Sequence, residues 1–143
     1  MIIAMEASYE LFDHTADMGV RVQAPTMPRL VKPAVDGLYA TIGELAAAGP
    51  AAGLHFDESG EDRARLLRDL LGQLLLVFER DHRRLTDIEE VIFTDCRLMV
   101  EAVTEPVDLE RSVFHREVKA VTYHELDIRE VAGGFEATFI VDI

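Results

Sequence analysis

The feature that most constrains the fold is an apolar stripe at helical spacing near the middle of the chain. The stripe consists of Leu66, Leu67, Leu70, Leu71, Leu74, Val77 and Phe78. This spacing puts all seven side chains on one face of an α-helix, and a face that wide must be buried against another layer. Asp62 follows Ser59 by three residues, so we expect a capping box with Ser59 as the N-cap.

A second helix is predicted earlier in the chain, with Thr26 as its N-cap. Its helically spaced apolar residues are Leu30, Val31, Ala34, Val35, Leu38, Tyr39 and Ile42. Pro33 lies inside this pattern, where it removes a backbone donor and crowds the preceding turn. We therefore expect the helix to bend at Pro33 or to begin late.

Much of the remaining chain alternates with the period of a β-strand. Short strands are predicted at residues 9–13 and 20–24, and longer alternation runs from residue 88 to residue 102 and from 118 to 128. The last strand, residues 135–143, follows Gly133 and Gly134, which is a hairpin signal. We expect an α+β fold of mostly antiparallel strands with two main helices, forming a single domain over residues 1–143.

Charge restricts the partners that the protein can bind unaided. The 143 residues include 27 acidic and 14 basic side chains, for a formal net charge of −13. Nucleic-acid binding normally requires Lys and Arg to neutralise phosphates, so little direct contact with RNA or DNA is expected.

The single thiol, Cys96, excludes an internal disulfide and a thiolate zinc cluster. It lies in the alternating run 92–100, which predicts a small, buried core residue on a strand. The first six residues lack the basic and apolar regions of a signal peptide, and no segment is long and apolar enough to span a membrane. These observations predict a cytoplasmic protein.

Polar residues concentrate at two places that the helices and strands leave unexplained. One is the cluster of residues 13–17, DHTAD, and the other is the ending Val141-Asp142-Ile143. Turn chemistry is one interpretation of the first, because Asp and Thr side chains bind nearby backbone amides. If the first and last strands are neighbours, however, Asp17, Asp142 and the Ile143 carboxylate form an all-oxygen site, which suits Ca²⁺ or Mg²⁺.

Three segments resemble the signatures of the archease family. They are YELFDHTADMGV at residues 9–20, VKAVTYHE at residues 118–125 and GFEATFIVDI at residues 134–143. Their order and the total length also agree with the family, so the resemblance covers nearly the whole chain. It implies a duplicated β-α-β-β arrangement with mostly antiparallel strands.

The resemblance also implies a function and a ligand set. Archeases activate the RtcB-type RNA ligase of tRNA splicing and RNA repair, promoting its guanylylation and multiple turnover without performing the chemistry. The implied metal ligands are Asp17, Asp142 and Ile143 through its carboxylate, and the implied cofactor is a divalent cation, Ca²⁺ first, with Mg²⁺ or Mn²⁺ as alternatives.

Two other functions remain open, as do the roles of His14, Lys119 and His124. His14, Asp17 and His124 are candidates for the centre of a small metal-dependent hydrolase. An acidic surface with a leucine-rich helix is also compatible with a chaperone-like interaction module. His14 is either near the metal or in a turn, and Lys119 is either a contact to the ligase or a solvated lysine. The oligomeric state is not indicated.

Overall fold

The computed structural model describes residues 5–14 and 16–143. The expectation about a signal peptide concerns residues 1–6, and the first four of these lie outside the described residues. Thr15 of the polar cluster also lies outside them. The described elements, in chain order, are β1 (Ser8–His14), β2 (Asp17–Ala24), α1 (Val31–Ile42), β3 (Gly43–Glu44), β4 (Ala52–Ser59), α2 (Arg63–Asp81), β5 (Arg83–Phe93), β6 (Arg97–Pro106), β7 (Val113–Phe114), β8 (Ala120–Val121), β9 (Asp127–Val131) and β10 (Gly134–Asp142).

The strands form two main antiparallel sheets and a small one. The first sheet has the order β1-β2-β10-β8, and β9 also pairs with β10. The second sheet has the order β4-β6-β5, and the short strands β3 and β7 pair separately. Two helices with antiparallel sheets confirm the predicted α+β class.

A continuous core joins the helices to both sheets. The leucines of the predicted stripe of α2 are buried, with Leu70, Leu71 and Leu74 fully inaccessible to solvent, while Val77 and Phe78 near its end are partly buried. α2 contacts β5 and β6 of the second sheet and β8 and β9 of the first, while α1 packs on β1 and β2. No helix in the described part of the chain combines the length and the apolar composition needed to cross a membrane.

The predicted capping box at the start of α2 is wrong, because the cap is one side chain rather than two. Asp62 is itself the N-cap, and its Oδ1 accepts hydrogen bonds from the backbone N–H groups of Ala64 (3.1 Å) and Arg65 (3.2 Å). Ser59 belongs to β4, where it pairs with Arg97. The sheet therefore extends to Ser59, and the chain needs residues 60–61 to enter the helix.

The prediction that Cys96 is a buried strand residue is also wrong. The alternating run is interrupted by a hairpin turn at residues 94–96, between β5 and β6, and Cys96 is exposed in that turn. The Thr94 N–H donates to the Arg97 carbonyl (2.9 Å), and the Thr94 hydroxyl accepts from the Cys96 N–H (3.3 Å). A threonine side chain thus supplies the turn chemistry in a segment without Gly or Pro.

The predicted strand at 118–128 is two short strands, β8 and β9, separated by a turn at residues 123–125. The hairpin predicted at Gly133 and Gly134 is confirmed, since it joins β9 to β10. Gly133 has φ +87°, a left-handed conformation that glycine adopts without steric cost.

The late start predicted for the first helix is confirmed, but Thr26 is not its N-cap: the residue before α1 is Leu30, which makes no side-chain capping hydrogen bond. α1 begins at Val31, after a short 3-10 turn over Pro28–Leu30, so Pro33 is its third residue. Backbone N–H groups in the first turn of a helix have no partner within the helix. Pro33 therefore costs α1 no intrahelical hydrogen bond.

We predict that Pro33→Ala does not stabilise the protein: Pro33 deletes no intrahelical hydrogen bond, and Ala loses the packing of the buried ring while raising the entropy of the unfolded chain. The matched change Ala40→Pro, in the interior of α1, should lower the free energy of unfolding by about 3 kcal/mol. Urea unfolding followed by circular dichroism measures both. A stabilisation of about 3 kcal/mol by Pro33→Ala would contradict this placement of the helix start.

Candidate functional site

The two aspartates expected to form a site lie at the same end of the two central strands of the first sheet. β2 and β10 pair antiparallel, with Ile140 opposite Gly19 and Val141 opposite Met18. One further step in this register puts Asp142 opposite Asp17. Two positions separated by more than 120 residues in sequence are thus neighbours at the rim of the sheet.

Strand alternation then decides which face of the sheet these residues occupy. Val20 and Phe139 are paired and belong to the core on which α1 packs. Asp17 is an odd number of positions from Val20, as Asp142 is from Phe139, so both lie on the opposite, outer face. His14, the last residue of β1, pairs with Asp17 of β2 and therefore occupies the same face.

His14 is the most enclosed member of this group, with a side chain 22% exposed. Its Nδ1 lies 3.9 Å from Asp17 Oδ2, and its Nε2 lies 3.3 Å from Glu125 Oε2. Nδ1 is buried and has no hydrogen-bond partner among the described residues. A buried polar atom without a partner in the protein is uncommon, and a bound water or ion is one way in which such an atom is satisfied.

A tight turn between β8 and β9 places the side chains of His124 and Glu125 next to His14. The Leu126 N–H approaches the Tyr123 carbonyl at 3.5 Å, and the His124 N–H donates to the Thr122 hydroxyl at 3.1 Å. The ring centroids of His14 and His124 are 5.2 Å apart in an edge-on arrangement. His124 Nε2 lies 3.8 Å from Glu125 Oε1.

Two sets of potential ligands therefore adjoin at this end of the sheet. The first, which we call the acidic rim, comprises Asp17, Asp142 and the carboxylate of Ile143. The second, the histidine cluster, comprises His14, His124 and Glu125, whose potential ligand atoms lie within 4.8 Å of one another. Sequence reasoning singled out both histidines but not Glu125, whose only signal was its place directly after His124 in the second signature.

The charges of the acidic rim fit a bound cation. Among the described side chains, no Lys or Arg lies within 4.0 Å of the Asp17 or Asp142 carboxylate, and only His14 approaches Asp17. Carboxylates brought together without a countercharge repel one another, and a divalent cation relieves that repulsion. The Lys119 side chain is exposed, while its N–H donates to the Asp142 carbonyl (2.7 Å) and fixes the end of β10.

Acidic residues in the middle of the outer face have basic partners within the protein. Arg21 lies between Glu10 and Glu136, and Arg129 Nη2 donates to Glu136 Oε1 at 2.9 Å. A hydrogen bond from Gln23 Nε2 (2.9 Å), together with Arg129, lowers the pKa of the Glu136 carboxyl. Acidic residues near the middle of the sheet thus have basic partners, in contrast to those of the acidic rim.

Aromatic packing joins this balanced region to the acidic rim. The ring of Phe12 lies over Gly19, where a Cβ atom would approach it to 2.2 Å, and Arg21 stacks on the same ring at 4.7 Å from its centroid. Gly19 therefore allows a large side chain to cover the sheet two residues from Asp17.

Comparison with known proteins gives a consistent result across the chain. The sequence model of the Archease protein family matches residues 9–143. Proteins named archease are similar in sequence: that of Methanopyrus kandleri is 33% identical over 138 residues, covering 94% of this chain and 99% of its own, and that of Methanosarcina barkeri is 28% identical over 147 residues, covering 94% and 95%.

Two solved structures share the fold. The solution structure of protein 1598 from Methanobacterium thermoautotrophicum has a TM-score of 0.74 at 24% identity, covering 95% of this chain and 99% of its own. The crystal structure of a Thermotoga maritima protein, described as an archease and possible chaperone, has a TM-score of 0.69 at 16% identity, covering 92% and 94%.

We predict that Glu136→Gln lowers the free energy of unfolding at neutral pH by about 1.5–3 kcal/mol, the usual contribution of hydrogen bonds to a charged group. A carboxyl whose pKa is lowered by folding stabilises the protein above its ordinary pKa and ceases to do so as the pH falls through the lowered value. The difference from the unmodified protein should therefore disappear in acid. Urea unfolding across pH measures this, with the exposed Glu130→Gln on β9 as a control; a difference that persists in acid would contradict it.

Proposed function

We propose, from the premise that this chain belongs to the archease family, that it activates an RtcB-type RNA ligase without catalysing the ligation itself. In this proposal it promotes guanylylation of the ligase and sustains multiple turnover in tRNA splicing and RNA repair, in the cytoplasm. The observation that carries the proposal is the family match over residues 9–143, together with the pairing of the three signature segments within the first sheet.

The shape of this rim supports an action on another protein. Asp142 is exposed, and the side chains of His124 and Glu125 are 62% and 53% exposed. Small-molecule substrates are usually enclosed in concave, largely apolar pockets. An open, polar rim is better suited to being presented to the surface of a partner.

The proposed cofactor is a divalent cation held by the acidic rim, with Ca²⁺ preferred over Mg²⁺ or Mn²⁺. When bound, the ion supplies positive charge of the kind that stabilises phosphoryl transfer. The contribution of this chain is to hold Asp17 and Asp142 on adjacent strands. Pairing of Asp142 with Ala120 fixes the backbone at the end of β10, directly before Ile143.

The net charge of −13 supports a division of labour between the two partners. An acidic chain has few cations with which to replace the counterions of an RNA backbone. We therefore assign RNA binding to the ligase and the presentation of carboxylates to this protein.

One observation favours a second candidate, a chaperone-like role. The apolar side chains of Leu109, Val113 and Phe114 are about half exposed, and Phe78 lies against Phe114 with ring centroids 6.5 Å apart. Exposed apolar patches often mark protein-binding sites. This patch would bind unfolded chains, whereas the acidic rim would not.

For the metal site, we predict that Asp17→Ala weakens Ca²⁺ binding by more than about tenfold, since removing a carboxylate ligand costs at least 1.4 kcal/mol. A peptide extension after Ile143 should have a similar effect, because it converts the carboxylate to an amide. Calorimetric titration with Ca²⁺ measures both. Asp36→Ala is the matched control, because Asp36 is bound to Lys32 on α1; equal affinities in all four proteins would contradict the ligand assignment.

For the function, we predict that the protein raises both the rate of ligase guanylylation from labelled GTP and the number of ligation turnovers with limiting ligase. Asp17→Ala should lose most of this stimulation, while Asp36→Ala should retain it. The ligase from the same cell is the partner required.

Unchanged rates with that ligase would show the proposal to be wrong. Suppression of aggregation of an unrelated unfolded protein, lost on Phe114→Ser but kept in Asp17→Ala, would favour the chaperone-like role instead. Tight RNA binding by the isolated protein at physiological salt would contradict the charge argument.

A further inference from the structure

We infer that the histidine cluster, His14, His124 and Glu125, is a second metal site, specific for a transition-metal ion of the zinc class. This inference goes beyond the ligase proposal and does not depend on it. It concerns ligands other than those of the acidic rim, although Asp17 lies beside both.

The separation of the ligand atoms fits zinc. Two ligand atoms at about 2.0–2.1 Å from a tetrahedral Zn²⁺ are about 3.3–3.4 Å apart. His14 Nε2 and Glu125 Oε2 are separated by 3.3 Å. His124 Nε2 lies 3.8 Å from the other carboxylate oxygen, and its exposed side chain needs only a small adjustment to complete the set.

The second nitrogen of His14 is placed as in many histidine ligands. Such ligands bind the metal through one ring nitrogen and direct the other at a carboxylate, which fixes the ring orientation. The buried Nδ1 of His14 faces the Asp17 carboxylate at 3.9 Å and has no hydrogen-bond partner among the described residues. A slight shift of the ring on metal binding would bring Nδ1 within hydrogen-bond distance of Asp17.

The backbone of the turn at residues 123–125 is held in a costly conformation that serves this geometry. Glu125 has φ +51°, in the left-handed region that Gly and Asn favour. Strained positions of this kind are concentrated at functional sites, where the surrounding structure enforces them. At this position the conformation allows consecutive residues, His124 and Glu125, to approach His14 together.

A simple ion pair does not account for the arrangement as well. His55 and Glu101, on β4 and β6, form such a pair: Nδ1 and Oε1 are in direct hydrogen-bond contact, and no third His, Cys, Asp or Glu among the described residues completes a metal-binding group with them. His14 and Glu125 come as close as 3.3 Å without satisfying hydrogen-bond geometry, and a second imidazole lies beside them. The potential ligand atoms of all three groups lie within 4.8 Å of one another.

The donor set predicts the kind of ion and the coordination. Two imidazoles and a carboxylate are a set that zinc uses with a fourth position open, whereas Ca²⁺ prefers oxygen ligands throughout. The exposure of His124 and Glu125 leaves this fourth position accessible to water or to a ligand from another molecule.

The test is calorimetric titration of Zn²⁺ into metal-free protein in the presence of excess Ca²⁺, so that the acidic rim is not available to zinc. Cys96→Ser serves as the parent protein, because the exposed thiol of Cys96 is itself a zinc ligand. We expect one zinc bound per chain, and affinity at least tenfold lower in His124→Ala and in Glu125→Gln. His55→Ala, which breaks the other histidine–carboxylate pair, should leave the affinity unchanged.

Circular dichroism verifies that the variants fold, which is expected because both substituted side chains are more than half exposed. Absence of zinc binding in the parent, equal affinity in His124→Ala, or a loss in His55→Ala would each overturn the inference. The ligase assay does not enter this test, so a failed activator proposal leaves its result intact.

Discussion

The structure depends on the pairing of β10 with strands on both of its sides. β10 binds β2 along one edge and both β8 and β9 along the other, and its core-facing residues Ala137, Phe139 and Val141 are buried completely or nearly so. The hydrophobic contacts of these residues fix the register, because a slip of one residue would turn them to the wrong face. The same register places Asp142 beside Asp17, so the packing of the core positions the acidic rim.

On the outer face of the first sheet, acidic residues only a few positions apart differ in whether they have a basic partner. Glu10 and Glu136 are paired with Arg21 and Arg129, which makes that region stable without any ligand. At the rim, the carboxylates have no basic partner among the described residues, and one nitrogen of His14 is buried without a hydrogen bond. Unbalanced charge reduces stability locally, and the divalent cation that we propose for the acidic rim would compensate it.

The helices and most strands were predictable because the periodicity of apolar residues reports burial directly, as the leucines of α2 show. Turns were less predictable. The alternation through Cys96 gave no sign of a hairpin, because Thr94 closes it with a side-chain hydrogen bond and no glycine is needed. The approach of Asp142 to Asp17 was expected only if the first and last strands were neighbours. Glu125 was missed because its left-handed conformation follows from the tertiary structure, which no local pattern in the sequence reports.

The position of β10 in the sheet also has a consequence for the order of folding. The second sheet and α2 are formed by one stretch of chain, residues 52–106, and can assemble through contacts between near neighbours. The first sheet needs β2 to find β10, which closes a loop of more than 100 residues and carries a correspondingly larger entropic cost. Until β10 pairs with β2, the hairpin of β1 and β2 has an unpaired edge along β2. Loop-closure entropy thus favours late formation of the acidic rim, which needs the β2–β10 pairing.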